Sequence, residues 1–227
     1  MGNSSYFAFD QVDWNMMGSS TWETIWMTLV SMLFVAILGV LLGLLLFETS
    51  GSNSLAVRGL NWVIAILVNV FRSIPYIILI ILLLPFTKNL VGTIIGPVAA
   101  LPSLVISAAP FYARMVELAF HEIDRGVIEA AEAMGATKRQ IIFKVLLPES
   151  MPALVSGATV TAISLIGYTA MAGAIGAGGL GNLAYQEGFQ ASNNTIVLVA
   201  TVVIVVIVFA FQFIGDTLVR HIDKRTL

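Results

Sequence analysis

Between Gly126 and Lys144 the chain reads GVIEAAEAMGATKRQIIFK, a charged, glycine-interrupted stretch within an otherwise apolar sequence. Val127, Ala130 or Ala131, and Met134 recur at the spacing of one helix face. Gly135 tolerates positive φ and so permits a helix end or a sharp bend. Thr137 can cap a second short helix carrying Ile141, Ile142, Val145 and Leu146, and Pro148 opens the apolar run that follows. Glu129 and Glu132 fall on other faces of the first helix. These residue types make and break no bonds. They suit a short amphipathic helix docked in a groove on a partner. The alternative is an amphipathic loop lying on lipid headgroups.

Other residues bear on solute passage. Arg72 sits inside an apolar run, where a basic side chain costs about 2.5–3.5 kcal/mol at mid-bilayer. It must therefore face protein, water or an interface. Two readings stand: a pathway or gate residue, or a structural charge satisfied by carbonyls freed near Pro75. Ser164, Tyr168 and Met171 place polar and soft groups in an apolar, uncharged run, and Met and Tyr are plausible contacts for a thioether solute. Each can equally be simple packing. Gly176-Ala-Gly178-Gly-Leu-Gly181 matches a dinucleotide fingerprint, but that motif needs a preceding strand and a following helix. Here it ends an apolar run, so the glycines are read as close-packing or helix-breaking positions. Gly39-Val-Leu-Leu-Gly43 is a helix-packing face, either within one chain or between two. The two histidines, His121 and His221, sit at span ends. No catalytic triad and no metal-ligand cluster emerges, and the absence of cysteine excludes disulfides and thiolate metal sites.

The elements that hold these residues are membrane spans. Of 227 residues, 58% are hydrophobic and only 11% charged, against about 25% charged in soluble domains. Mean hydropathy is +0.95. Thr24–Phe47, Asn89–Ala113, Ser150–Gln186 and Gly188–Gly215 carry no charged residue, and a spanning helix needs about 20 apolar residues. The expected fold is all-α and integral to a membrane, with five transmembrane helices: Trp22–Phe47, Leu60–Pro85, Thr93–Leu118, Pro152–Ala177 and Thr195–Val219. The valine- and isoleucine-rich last run would be a strand in water, but a lone strand in lipid leaves its amides unpaired. Lys88 is the one basic residue on the side of Met1. Arg58, Arg114, Arg125, Lys138, Arg139, Lys144, Arg220, Lys224 and Arg225 lie on the other, so that side is expected to be cytoplasmic and the N-terminus outside. Residues 1–21 are expected to be an extracytoplasmic leader, with a short amphipathic segment conceivable over Tyr6–Val12. They lack the basic start of a signal peptide. Residues 119–151 form the largest cytoplasmic segment, and 221–227 a cytoplasmic tail. A net charge of −2 argues against a nucleic-acid partner.

Glu129-Ala130-Ala131, three residues, Gly135, nine residues, Val145, one residue, Leu147-Pro148 resembles the EAA signature of bacterial ABC importer permeases. Val145 stands where isoleucine is usual. Phe71-Arg-Ser-Ile-Pro75, the run Ala109–Glu117 and the glycine-rich run Gly167–Gly181 are similar to permeases of the methionine-uptake type, and the likeness extends over about Trp22–Arg220. The resemblance implies that 22–220 is an ABC transporter transmembrane domain and that its coupling helix lies between spans three and four. It implies that Glu129, Ala130, Ala131, Met134, Gly135, Leu147 and Pro148 serve ATPase coupling, with Glu129 in polar contact with the ATPase. It further implies a homodimer in a bacterial inner membrane, with two ATPase subunits and an external substrate-binding protein. The solute would be methionine, the L form and by extension the D form; another amino acid or a small peptide remains open. The chain itself has no phosphate-loop motif, so ATP and Mg are expected on the partner and no cofactor on this chain. A passive channel would not need the EAA spacing. An intramembrane enzyme would need a buried nucleophile and base, which the spans lack.

Overall fold

The computed structural model describes residues 6–51 and 54–223; Lys224 and Arg225, two of the basic residues used above for orientation, lie outside them. The described residues form helices α1 (Trp14–Ser50), α2 (Leu55–Ser73), α3 (Tyr76–Val91), α4 (Pro97–His121), α5 (Arg125–Ala133), α6 (Lys138–Ile141), α7 (Leu147–Ala174), α8 (Gly179–Leu183) and α9 (Asn194–Ile222). No strand occurs among them, and the valine-rich run lies inside α9. Short π segments at Ile142–Leu146 and Ala184–Gln190 join α6 to α7 and extend α8. Five helices are long and apolar enough to cross a membrane: Trp14–Ser50, Leu55–Ser73, Pro97–His121, Lys138–Ala174 and Asn194–Ile222.

Several boundaries differ from the sequence expectation, and two of the differences have a plain local cause. α1 begins at Trp14 because Asp13 caps it, its Oδ1 accepting from the amides of Asn15 at 2.9 Å and Met16 at 3.1 Å. The polar residues before Trp22 had hidden that start. The second span is broken rather than locally disturbed. Pro75 forces Ile74 into an extended conformation, φ −81° and ψ 122°, because its Cδ excludes the helical region for the residue before it. α2 and α3 nevertheless run in series. Asn61 donates to the Leu46 carbonyl and to Thr49 Oγ1 at the far end of α1. Tyr76 reaches Ser103 in the first third of α4, and Ile80, Leu84 and Thr87 share a small void with Gly96 and Ala99 at its start.

The core is a seam between α1 and α4, with α7 packed on both and α9 on α7. The two glycines of the Gly39–Gly43 face make that seam close. A Cβ at Gly39 would come within 2.5 Å of Tyr112 Cδ1, and one at Gly43 within 2.6 Å of Val116 Cβ and 2.7 Å of the Ala113 carbonyl oxygen. The motif is thus a packing face inside one chain. Tyr112 continues the seam by donating to the Leu154 carbonyl of α7 at 3.1 Å. At the end of the bundle bearing the 176–181 glycines, the amides of Gly179 and Leu180 donate to Glu23 Oε2 at 2.7 Å and to Thr24 Oγ1 at 2.9 Å. The Gly96 amide donates to the Gly176 carbonyl at 2.9 Å. This glycine end is therefore tied to α1 and α4. The opposite, hairpin end carries α5 and α6.

Gly43→Leu should wedge α1 from α4 and lower stability by about 1–3 kcal/mol or more. Gly59→Ala, in α2 with nothing within 4 Å of its Cβ position, should be neutral or stabilising by up to about 1 kcal/mol. Thermal unfolding in detergent, read by loss of monodisperse protein, distinguishes the two.

Candidate functional site

The stretch 124–148 folds as a helical hairpin whose turn is specified residue by residue. Asp124 Oδ1 accepts from the Gly126 amide at 2.8 Å and opens α5. α5 closes when the Gly135 amide donates to the Glu132 carbonyl at 2.9 Å and the Ala136 amide to the Ala131 carbonyl at 3.0 Å, the Schellman pattern. That closure puts Gly135 at φ +81°, where a Cβ would meet nothing within 4 Å; backbone conformation, not space, demands glycine here. Thr137 then caps α6, its Oγ1 accepting from the Gln140 amide at 3.4 Å while Gln140 Oε1 accepts from the Thr137 amide at 2.8 Å. This is the reciprocal capping box.

The apolar positions of α5 divide between two faces. Ile128 is half-buried and Ala131, 7% exposed, packs into the core that contains Phe120, Ile123, Ile141 and Leu146. Val127, Ala130 and Met134 face outward, Met134 at 82% exposure, and Glu129 and Glu132 are exposed beside them. Of the two alternatives that the sequence pattern left for that face, Ala130 or Ala131, it is Ala130 that lies with Val127 and Met134. Between the ends of α1 and α4 and the hairpin lies a cleft of about 540 Å³, lined by Phe47, Phe120, His121, Ile128, Glu132 and Ile141 among others. His121 stands edge-on to Phe47, ring centroids 5.0 Å apart.

Leu147 is half-buried and Pro148 exposed, both in the first turn of α7. Pro148 has no amide for the helix ladder and its ring crowds the carbonyl a turn earlier. The backbone accommodates this by a π turn, the Leu147 amide donating to the Ile142 carbonyl. The hairpin thus runs into α7 without interruption: residues Lys138–Ala174 form one rod.

The second constellation surrounds the break at Ile74–Pro75. Arg72 ends α2 and is exposed, its guanidinium carbon 5.9 Å from the Phe111 ring centroid. Tyr76 opens α3 and is 5% exposed. Its hydroxyl lies 3.2 Å from Ser103 Oγ, and Ser103 itself donates to the Ala100 carbonyl. The Tyr76 ring stacks on Tyr168 at 4.7 Å and 13°. Ser164, Tyr168 and Met171 share one face of α7; Ser164 donates to the Val160 carbonyl at 3.0 Å and Met171 is exposed. The fold brings Tyr168 to the break, while Arg72 makes no hydrogen bond or ion pair with Ser164, Tyr168 or Met171. Tyr76, Ser103 and Phe111 were missed in the sequence, and the Tyr-after-Pro position at the break was the available signal. Among the described residues no group of His, Asp and Glu is placed to hold a metal ion.

Residues 50–227 match the family of binding-protein-dependent transport system inner membrane components. The chain belongs to that family. It is 62% identical over 217 residues to the methionine import system permease protein MetP of Bacillus subtilis, covering 96% of this chain and 98% of that one. It is 51% identical over 152 residues to the D-methionine transport system permease protein MetI of Escherichia coli, covering 67% and 70%. Among solved structures, an inward-facing MetNI methionine ABC transporter superposes with a TM-score of 0.89 at 47% identity, covering 92% of this chain and 97% of that one. An amino acid ABC transporter at 20% identity and TM-score 0.68 shares the fold.

Gly135→Ala should strain the hairpin by about 1–2 kcal/mol, and Thr137→Ala should cost about 0.5–2 kcal/mol of local stability. Both should speed tryptic cleavage at Lys138–Arg139 while helix content, read by far-UV circular dichroism, stays within error of the parent.

Proposed function

We propose that the chain is the permease subunit of an ATP-binding-cassette importer of methionine, L and by extension D, worked by alternating access. Two copies would enclose the route. Two ATPase subunits would bind ATP and Mg, and an external binding protein would deliver the solute. The hairpin end, with Arg58, Arg114, Arg125, Lys138, Arg139, Lys144 and Arg220, would face the cytoplasm of a bacterium and the glycine end the outside, in accord with the charge bias.

The observation that carries this reading is the outward stripe Val127–Ala130–Met134 on a helix whose other face is locked into the core. A groove on an ATPase subunit would cover that stripe, with Glu129 in polar contact at its edge. Displacement of α5 would then reach α4 through Ala131 and Phe120, and α7 through the continuous rod. α4 and α7 hold the two sides of the Tyr76 contact, Ser103 and Tyr168, so the break in the second span lies where the movement arrives. Arg72, Ser164, Tyr168 and Met171 are the proposed pathway or gate residues, with Tyr168 the one best supported by geometry.

The test is uptake of labelled methionine into proteoliposomes containing this chain, the partner ATPase, ATP and the loaded binding protein. Burying a methionine side chain is worth about 1.5–3 kcal/mol, so Met134→Ala should weaken ATPase docking about tenfold and lower uptake in parallel. ATP-independent uptake by the chain alone would overturn the proposal, as would unchanged coupling in Met134→Asp.

A further inference from the structure

Arg72 stands near the middle of the membrane. Its neighbour Phe111 is ten residues from the hairpin end of α4 and fourteen from the other, about 15 Å and about 21 Å at 1.5 Å per residue, in a hydrocarbon layer about 30 Å thick. The guanidinium is exposed, and the contact it makes is with the Phe111 ring. A cation at that depth requires water or an anion.

Among the described residues no carboxylate is placed to serve. In the described spanning helices the acidic residues are Glu23, Glu48, Glu117, Glu149 and Asp216. Glu23 holds the Gly179 amide at the glycine end. Glu117 is paired with Arg114 at 2.7 Å, Asp216 accepts from Gln212 at 2.8 Å, and Glu48 and Glu149 lie at the hairpin end beside clefts there. A second copy has the same inventory at the same depths and adds another Arg72. Water can hydrate Arg72, and any anion that pairs with it there has to come from outside the permease.

The face leading to Arg72 is polar. At about 100° per residue, positions 58, 61, 65, 69 and 72 fall within an arc of about 80°; they are Arg58, Asn61, Ala65, Asn69 and Arg72. Leu67 and Val70, exposed on the far side of α2, are apolar. Asn61, lower on this arc, is turned onto α1, whereas Asn69 and Arg72 are exposed; inside a membrane such an exposed polar pair marks that part of the arc as wet.

We propose that Arg72, flanked by Asn69 and Ser73 at the helix break, is the subsite that receives the carboxylate of a translocating amino acid, reached by water along this arc of α2. The assignment deepens the importer reading and rests on it for the solute class. Guanidinium–carboxylate pairing is bidentate and directional, which selects a free carboxylate over its amide. Because the carboxylate is common to all amino acids, the subsite reads the backbone of the solute and leaves its side chain to other groups.

The chain has no cysteine, so single cysteines report cleanly in the full complex. Asn69→Cys should react with a membrane-impermeant cationic thiol reagent at least about tenfold faster than Leu67→Cys. Millimolar methionine should slow that reaction, methionine amide should not, and adding Arg72→Gln should abolish the protection, with Arg72→Lys restoring part of it. Equal reactivity at the two cysteines overturns the wet arc. Equal protection by the amide, or protection that survives Arg72→Gln, overturns the carboxylate subsite. Monodispersity of each variant complex and co-purification of its ATPase subunits establish that it is assembled. Wild-type ATP-driven uptake is measured alongside: if that fails while protection persists, the importer reading falls and the subsite stands, and the reverse pattern removes the subsite alone.

Discussion

A lipid-immersed backbone has no water to satisfy its amides and carbonyls, and the rest of this molecule follows from that constraint. Long helices are the response, and polar side chains inside them turn back on their own ladder: Thr28 donates to the Thr24 carbonyl and Thr161 to that of Gly157. Four departures from plain helix occur where a proline removes an amide or a glycine permits a turn. Pro75 breaks a span, Pro148 accompanies a π turn, Gly135 closes α5, and Gly176–Gly179 end α7. These four places coincide with the proposed subsite, the joint between the hairpin and α7, the turn of the hairpin and the tie at the opposite end.

The ladder is not broken by proline as such. Pro85, Pro102 and Pro110 lie inside helices that continue past them. At Pro75 the preceding residue is thrown into extended conformation and the chain resumes with Tyr76, whose ring and hydroxyl are both held, by Tyr168 and Ser103. The break is stabilised by long-range contacts on its far side. A mid-membrane irregularity of this kind is tolerable only where protein or water covers it.

That distinction explains what could be read in advance. The spans were legible because their length leaves no alternative in an uncharged run. The α5–α6 turn was legible because Gly135 and Thr137 act on their immediate neighbours. The full break at Pro75 was not, since it depends on partners 27 and 92 positions away along the chain, Ser103 and Tyr168. Nor could periodicity tell which side of α5 faces out: it shows that Val127, Ala130, Ala131 and Met134 lie near one another, but Ala131 is buried in a core whose other members, Phe120 and Leu146 among them, lie outside α5. The start of α1 was masked by hydropathy although Asp13 carried a capping signal.

The π turn at Ile142–Leu146 winds one more residue into its loop than an α turn would. Along an unbroken rod, one residue is worth about 100° of azimuth. The heading of Ser164, Tyr168 and Met171 relative to Met134 is therefore set by a single surplus residue, so the proposed movement of α5 would carry torsion as well as thrust along the rod.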